Sequence, residues 1–262
     1  MKFILITNSI EIVEKITASN IRIMIDLELI GKKERQKNRD TFITTHVIED
    51  IARMRSAFPK HEIMVRVNPL NSTSTEEIES VLRNSVDLIM LPMLQSANDV
   101  EIFSDLVRGR AGLVPLVETF SSFQDIHRIA ELDSVREVYL GLNDLHVDMK
   151  MDFMFEVLSR GFVDEFANVA KKSKKPFGFG GVSVLGTGTL PADDVLIEHF
   201  RMGSSRVILS RSFHSFSDNI ENEINRLNDY LNSLKLLGES DLIKRKQICF
   251  EKIGIIAKSL RA

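Results

Sequence analysis

The sequence has one cysteine, Cys249, which leaves no partner for an internal disulfide and no basis for a cysteine-rich metal cluster. A reducing compartment, the cytoplasm, is the expectation. It also lacks an excess of positive charge: 34 Lys and Arg stand against 37 Asp and Glu, a formal charge of -3. Without a basic field there is little to hold a phosphate backbone or an anionic lipid surface, so neither nucleic acid nor membrane is an expected partner. No apolar run approaches the roughly 20 residues a membrane helix needs. The opening MKFILITN is apolar but brief, and Asn8, Glu11 and Glu14 follow without a cleavage-site pattern, so it reads as a first strand and not as a signal peptide. The turn after it, Thr7-Asn8-Ser9-Ile10, contains no glycine, which removes the usual signal of an open dinucleotide-binding sheet.

What is present is alternation. Short runs rich in Ile, Val and Leu recur, each followed by a polar turn and a segment of helical periodicity. Eight runs read as strands: Phe3 to Thr7, Ile21 to Leu27, Ile63 to Val67, Leu88 to Leu91, Leu113 to Val117, Val138 to Leu140, Phe177 to Phe179 and Val207 to Leu209. Helices are expected over Ser9 to Ala18, Thr41 to Ala57, Ser74 to Arg83, Ser96 to Val107, Phe120 to Glu131, Asp152 to Ala170 and Pro191 to Arg201, with Ser74 and Glu77 in capping-box spacing. Continuous apolar strands imply a sheet covered on both faces, and eight βα units favour closure into a (β/α)8 barrel. With 262 residues, 44% of them hydrophobic, the whole chain, residues 1–262, reads as one α/β domain. Two further helical stretches, Phe216 to Leu236 and Asp241 to Leu260, exceed one closing helix. Residues 214–262 are therefore read as a C-terminal helical extension, lying on the barrel surface or packing on a neighbouring subunit of a homo-oligomer.

In such barrels the chemistry projects from the carboxyl ends of the strands. The second run ends in Asp26-Leu27-Glu28, the third in Arg66-Val67-Asn68-Pro69, the fifth in Glu118-Thr119 and the sixth in Gly141-Leu142-Asn143-Asp144. Carboxylates at the ends of apolar strands are costly to desolvate unless they meet a cation, so Glu118 and Asp144 are candidate ligands of Mg2+ or Mn2+, with a salt bridge or a helix cap before a loop as the plainer role of Asp144. Arg66 offers a planar fork for a substrate carboxylate, and pairing with Asp26 or Glu28 would orient it. Asp26, Glu28, Arg66 and His46 form the candidate catalytic set; Asn68, Pro92, Gly180 and Gly181 join Arg66 as candidate substrate contacts, the glycines by letting a ligand approach the backbone. His146 shares the catalytic candidacy with His46, His214 less so, and Ser210 with Arg211 are candidates for an anion site. No strand run ends in lysine, and Lys175 precedes the seventh run at the opposite face, which argues against Schiff-base chemistry. The run Lys171 to Lys175 reads as a solvated helix end. Gly181 to Gly186 has Walker spacing, but Thr187 stands where that motif needs lysine.

IMIDLE at 23–28, VRVNP at 65–69, DLIMLPM at 87–93, LVPLVET at 113–119 and GLNDL at 141–145 together resemble, in order, the HpcH/HpaI aldolase and citrate lyase β-subunit family. The resemblance implies a phosphoenolpyruvate/pyruvate-type barrel in which Glu118 and Asp144 bind a divalent metal, commonly Mg2+, and Arg66 contacts a carboxylate or oxo-acid. It implies carbon–carbon bond cleavage or formation through an enolate, and oligomers built with C-terminal helices. Leu29 stands where one branch of the family has an aspartate and another a histidine, so the resemblance supplies no base. The expected function is a metal-dependent carbon–carbon lyase or aldolase acting on a pyruvate-type oxo-acid. The alternatives are a lyase of acyl-CoA thioesters of the citrate lyase β type and a non-catalytic barrel that binds a carboxylate metabolite.

Overall fold

The computed structural model describes residues 1–31, 45–210, 213, 215 and 219–261. Its strands are β1 (Lys2–Ile6), β2 (Ile21–Asp26), β3 (Ile63–Arg66), β4 (Leu88–Leu91), β5 (Gly112–Val117), β6 (Val138–Leu140), β7 (Phe177–Val182) and β8 (Arg206–Leu209). Each pairs in parallel with its neighbours in chain order, and β8 returns to β1 with Val207 opposite Phe3, which closes a (β/α)8 barrel. Runs such as IRIMID take this form because they are rich in β-branched residues and covered on both faces. Side chains alternate along a strand, so one set reaches the barrel axis and the other the helices. Ile4, Met24, Met64, Leu88, Met90, Val114, Leu116 and Tyr139 fill the interior. Ile23, Ile25, Val65 and Ile89 belong to the shell beneath the helices.

Tyr139 ties three strands together: its hydroxyl donates to Gly180 O at 2.8 Å and accepts from the Ile208 amide at 2.8 Å. A Cβ on Gly178 would lie 2.5 Å from the tyrosine ring and 2.4 Å from Arg206 O, so only glycine lets the ring cross β7. Below the tyrosine, charged groups make the floor. Arg22 donates to Glu137 through Nη1 and Nη2 at 2.7 and 2.8 Å and to Glu62 through Nε at 2.8 Å. Arg206 donates to Glu137 through Nε and Nη2 at 2.9 and 2.8 Å, and Lys2 pairs with Glu62 at 3.2 Å.

The described helices are α1 (Ile10–Glu14), α2 (Ile48–Ala57), α3 (Ser74–Leu82), α4 (Ala97–Val107), α5 (Phe120–Gln124), α6 (Ile126–Glu131), α7 (Leu142–Asp148), α8 (Glu156–Ser159), α9 (Phe162–Lys172), α10 (Ala192–Met202), α11 (Ile220–Leu234) and α12 (Glu239–Arg261). The start of the helix expected at Thr41 lies outside the described residues. The helix expected over Phe120 to Glu131 is two, meeting at Asp125, whose carboxylate accepts the Ala97 amide at 2.7 Å at the start of α4. The one expected over Asp152 to Ala170 breaks at Gly161, which adopts φ +87. Asp144, expected before a loop, sits in the first turn of α7. The capping box at Ser74 does not form either: Glu77 accepts from Asn68 instead, and Ser74 Oγ accepts from the Asn71 amide.

Of the two C-terminal helices, α11 is the closing helix of the barrel, with Ile220, Ile224, Leu227 and Leu231 packed in one cluster with Phe3, Leu5 and Ile21. The second, α12, lies across α8 and α10 of this chain and buries Cys249, Ile253 and Ala257 there. Lys252 Nζ meets Asp194 at 2.6 Å and Arg261 pairs with Asp152, while Ile243, Ile248 and Ile255 stay exposed. No described helix is long and apolar enough to cross a membrane.

Candidate functional site

Strand alternation carries the interior rows of β2 and β3 upward from Met24 and Met64 to Asp26 and Arg66, which sit opposite each other in register. The Arg66 guanidinium donates to both oxygens of Asp26, through Nε at 2.9 Å and Nη2 at 2.8 Å, and lies 3.4 Å from Glu28. Burial works to lower the arginine's pKa, but Asp26, Glu28 and Glu118 outweigh it and hold the proton more firmly than usual. Asp26 also accepts the Glu28 amide at 3.3 Å, which fixes the turn after β2. The fork expected to meet a substrate carboxylate is thus already oriented by two acidic neighbours.

On β5 the same alternation runs from Val114 and Leu116 to Glu118, which is buried. Burial pushes this carboxyl up, Asp144 and then Glu28 push it further, and Arg66 and the Met93 amide offset part of the rise, leaving it at about 8. Two positions that the sequence reading left without a role make this placement feasible. Met93, held with φ +54 directly after Pro92, donates its amide to Glu118 Oε1 at 3.0 Å. A Cβ on Gly141 would meet Glu118 Cβ and Oε2 at 2.7 Å each, so glycine is what allows the carboxylate to lie against the end of β6. The signal was there in the motif GLNDL, but a strand-end glycine acquires meaning only once its neighbour is known.

Glu118 and Asp144, from consecutive strand ends, therefore act on one another. Among the described residues no group of three His, Cys, Asp or Glu side chains gathers as a metal site. Two carboxylates are nonetheless a donor set that suits Mg2+, which commonly takes one or two carboxylates and leaves its other positions to water and substrate. Asp144 and Glu28 push the buried Glu118 carboxyl up further than Arg66 brings it down, and a divalent cation held by the two carboxylates would offset that repulsion.

The remaining candidates separate. Asn68 serves the rim: its side-chain oxygen accepts the Leu29 and Ile30 amides at 2.8 and 2.9 Å, and its own amide nitrogens donate to Glu77. Pro92 is buried at the end of β4 and leads into the Met93 turn. His46 stands beside Asp26, whose amide donates to its Nδ1 at 3.0 Å, and it lines a groove with Leu27, Leu29 and Glu77. A neutral ring so held carries its proton on Nε2 and is a donor there, the wrong form for a base. His146 is the reverse: Nδ1 faces Leu142 O at 3.2 Å, which assigns the proton to Nδ1 and leaves Nε2 the acceptor nitrogen. Gly180, with φ +53 and a Cβ direction blocked by Leu142 at 2.8 Å, is a packing glycine; Gly181 borders a cavity. Lys175 Nζ donates to Leu132 and Val135 carbonyls, away from the strand ends, as expected. Arg211 and His214 lie outside the described residues.

The fold has close likenesses among solved structures. The HpcH/HpaI aldolase of Desulfitobacterium hafniense superposes with a TM-score of 0.61 at 11% identity, covering 86% of this chain and 92% of its own. RipC of Yersinia pestis gives 0.59 at 14%, covering 92% and 98%. The CitE protein of Mycobacterium tuberculosis, solved in complex with magnesium and acetate, gives 0.57 at 15%, covering 94% and 95%. No curated protein matches the chain by sequence. The HpcH/HpaI aldolase/citrate lyase family matches residues 5–154, more than half of the 262-residue chain and all four of the strand ends that carry Asp26, Arg66, Glu118 and Asp144, and the chain belongs to that family.

Proposed function

We propose that the protein is a divalent-metal-dependent carbon–carbon lyase of the aldolase type, acting on a pyruvate-type oxo-acid. The observation that carries the reading is the buried Glu118 carboxyl, which Asp144 and Glu28 push up while Arg66 offsets part of the rise. Glu118 and Asp144 would hold Mg2+ or Mn2+, which when bound would supply Lewis-acid polarisation of a carbonyl oxygen. Arg66 binds the substrate carboxylate through its fork, and Asp26 and Glu28 keep that fork from turning. The Met93 amide holds Glu118 in place, and the apolar interior beneath keeps bulk water from the reacting carbons. His46 acts as a donor that secures the end of β2, and His146 Nε2 accepts a hydrogen bond from a substrate hydroxyl. In the cleaving direction that hydroxyl passes its proton to His146 Nε2 as its carbon becomes an aldehyde. The carbon–carbon bond breaks, its electron pair stays with the oxo-acid half, and that half takes up a proton on the terminal carbon. A cytoplasmic location and a homo-oligomer belong to the same proposal, supported by the lone buried cysteine and the exposed isoleucines of α12.

The test couples binding to turnover. Calorimetry is expected to show Mg2+ or Mn2+ binding that falls at least about tenfold in Glu118→Ala, and NMR in D2O is expected to show metal-dependent exchange of pyruvate methyl protons. Unchanged metal affinity in that variant removes the metal pair. Absence of both exchange and cleavage across a panel of hydroxy-oxo-acids removes the lyase.

A further inference from the structure

Half of the mouth is left open by the charged cluster. A cavity of about 430 Å³ lies at the ends of β6, β7 and β8. Asn143 and His146 border it from α7, the helix that carries Asp144, while Gly181 borders it from β7 and Ser210 from the end of β8. Strand order thus lays the rim out in sequence: Arg66 on β3, Glu118 after β5, Asp144 after β6, then the cavity. A substrate whose carboxylate sits at Arg66 and whose carbonyl faces Glu118 and Asp144 reaches the cavity with its far end.

The wall says what that far end is. Phe153, Met154, Phe155, Leu190 and Val195 supply its apolar lining, with Asn143, His146, Thr189 and Ser210 among the polar members, and the two phenylalanine rings pack edge to face with centroids 5.4 Å apart. Among the described lining residues there is no lysine or arginine; the carboxylate there, Asp152, is already paired with Arg261 of α12. Ser183 is occupied as well, donating to Thr187 O at 2.9 Å. A charged ligand group entering between these apolar side chains would lose its hydration and gain no lysine or arginine among the described lining residues. The pocket is also open where a side chain would ordinarily stand: a Cβ on Gly181 would meet only Ile208 O, at 3.5 Å, an ordinary contact, unlike the blocked directions at Gly178 and Gly180.

We infer that this cavity binds the part of the substrate beyond the bond that breaks, and that this part is uncharged and largely apolar, a branched aliphatic or aromatic aldehyde and not a CoA thioester, a phosphorylated aldehyde or a second carboxylate. The inference rests on the lyase reading for the identity of the ligand, and on the wall alone for its chemistry. Ligand-observed NMR with a matched pair of probes tests it: benzyl alcohol, and 4-(hydroxymethyl)benzoate, which adds one carboxylate. With pyruvate present in excess to occupy Arg66, benzyl alcohol is expected to bind saturably and at least about tenfold tighter than its carboxylated partner, and coenzyme A to be excluded. Gly181→Ala, folded as the wild type by circular dichroism, is expected to weaken benzyl alcohol several-fold; Met154→Ala, which removes wall contact at a half-buried position, provides a second variant with the same expected direction. Equal or tighter binding of the carboxylated probe, binding of coenzyme A, or indifference to both substitutions overturns the assignment. Pyruvate proton exchange is read separately. Exchange with the wrong probe order sinks the cavity assignment alone, whereas the right probe order without exchange sinks the lyase reading and leaves a neutral-ligand site.

Discussion

At the floor of the barrel Arg22 and Arg206 close on Glu137 from two strands, with Glu62 and Lys2 completing the network; at the mouth Arg66 answers Asp26, Glu28 and Glu118 together. The consequences are opposite. Burial would raise Glu137, but hydrogen bonds and charges from Arg22 and Arg206 hold it down at about 2, whereas burial with Asp144 and Glu28 drives Glu118 up to about 8. Both carboxyls are buried in one barrel at its two ends. One end is neutralised by the chain itself and behaves as structure. The other keeps a carboxyl raised by its described neighbours, which marks a candidate site.

The sharpest way to break the comparison is to neutralise each carboxyl in turn. Glu137→Gln is expected to cost about 3–5 kcal/mol in urea unfolding, because the buried Arg22 and the partly buried Arg206 lose the charge they share. Glu118→Gln is expected to stabilise the metal-free protein by about 2 kcal/mol at pH 8 while abolishing Mg2+ affinity, since the amide keeps the Met93 hydrogen bond and removes the repulsion. If both variants destabilise alike, mouth and floor do not differ in kind.

The pH dependence carries the same contrast. Glu137 has a folded pKa below its ordinary 4.5, so its contribution is present above about 4.5 and is lost as pH falls toward about 2. Glu118 has a folded pKa above 4.5, so without metal it erodes stability as pH rises from about 4.5 to about 8. Unfolding free energy in the wild type is expected to fall at both ends of that range, and Glu118→Gln is expected to flatten the alkaline fall alone. The smallest effect belongs to the layer between the two ends. Tyr139→Phe leaves Gly180 O and the Ile208 amide without their partner and is expected to cost about 1–3 kcal/mol in urea unfolding, with Mg2+ affinity unchanged. A loss of affinity there would mean that floor and mouth are coupled through the tyrosine.

Much of the mouth was readable before any coordinates. Asp26, Arg66 and Glu118 stand at strand ends, and a period of two extends each interior row to them, so their convergence follows from the barrel. The strands were legible for the same reason: LIML and VYL are apolar on both faces whatever surrounds them. Less legible were features decided by a partner far along the chain. Glu77 had the spacing of a capping box and instead holds Asn68, and His46, a catalytic candidate by its place after the second strand, has its Nδ1 taken by the Asp26 amide. The break at Asp125 answers the Ala97 amide, 28 residues away in sequence.

The sequence by itself determined the barrel, the end of it where chemistry can occur and the charged residues found there, because strand alternation and the cost of burying a carboxylate are local facts. Tertiary structure alone decided which charges are balanced. Arg22 and Glu137 are 115 residues apart and meet as a structural pair, while Glu118 is pushed up by Asp144 and Glu28 more than Arg66 brings it down. Whether a buried acid is a strut or a ligand depends on what stands opposite it, and that is a property of the closed barrel.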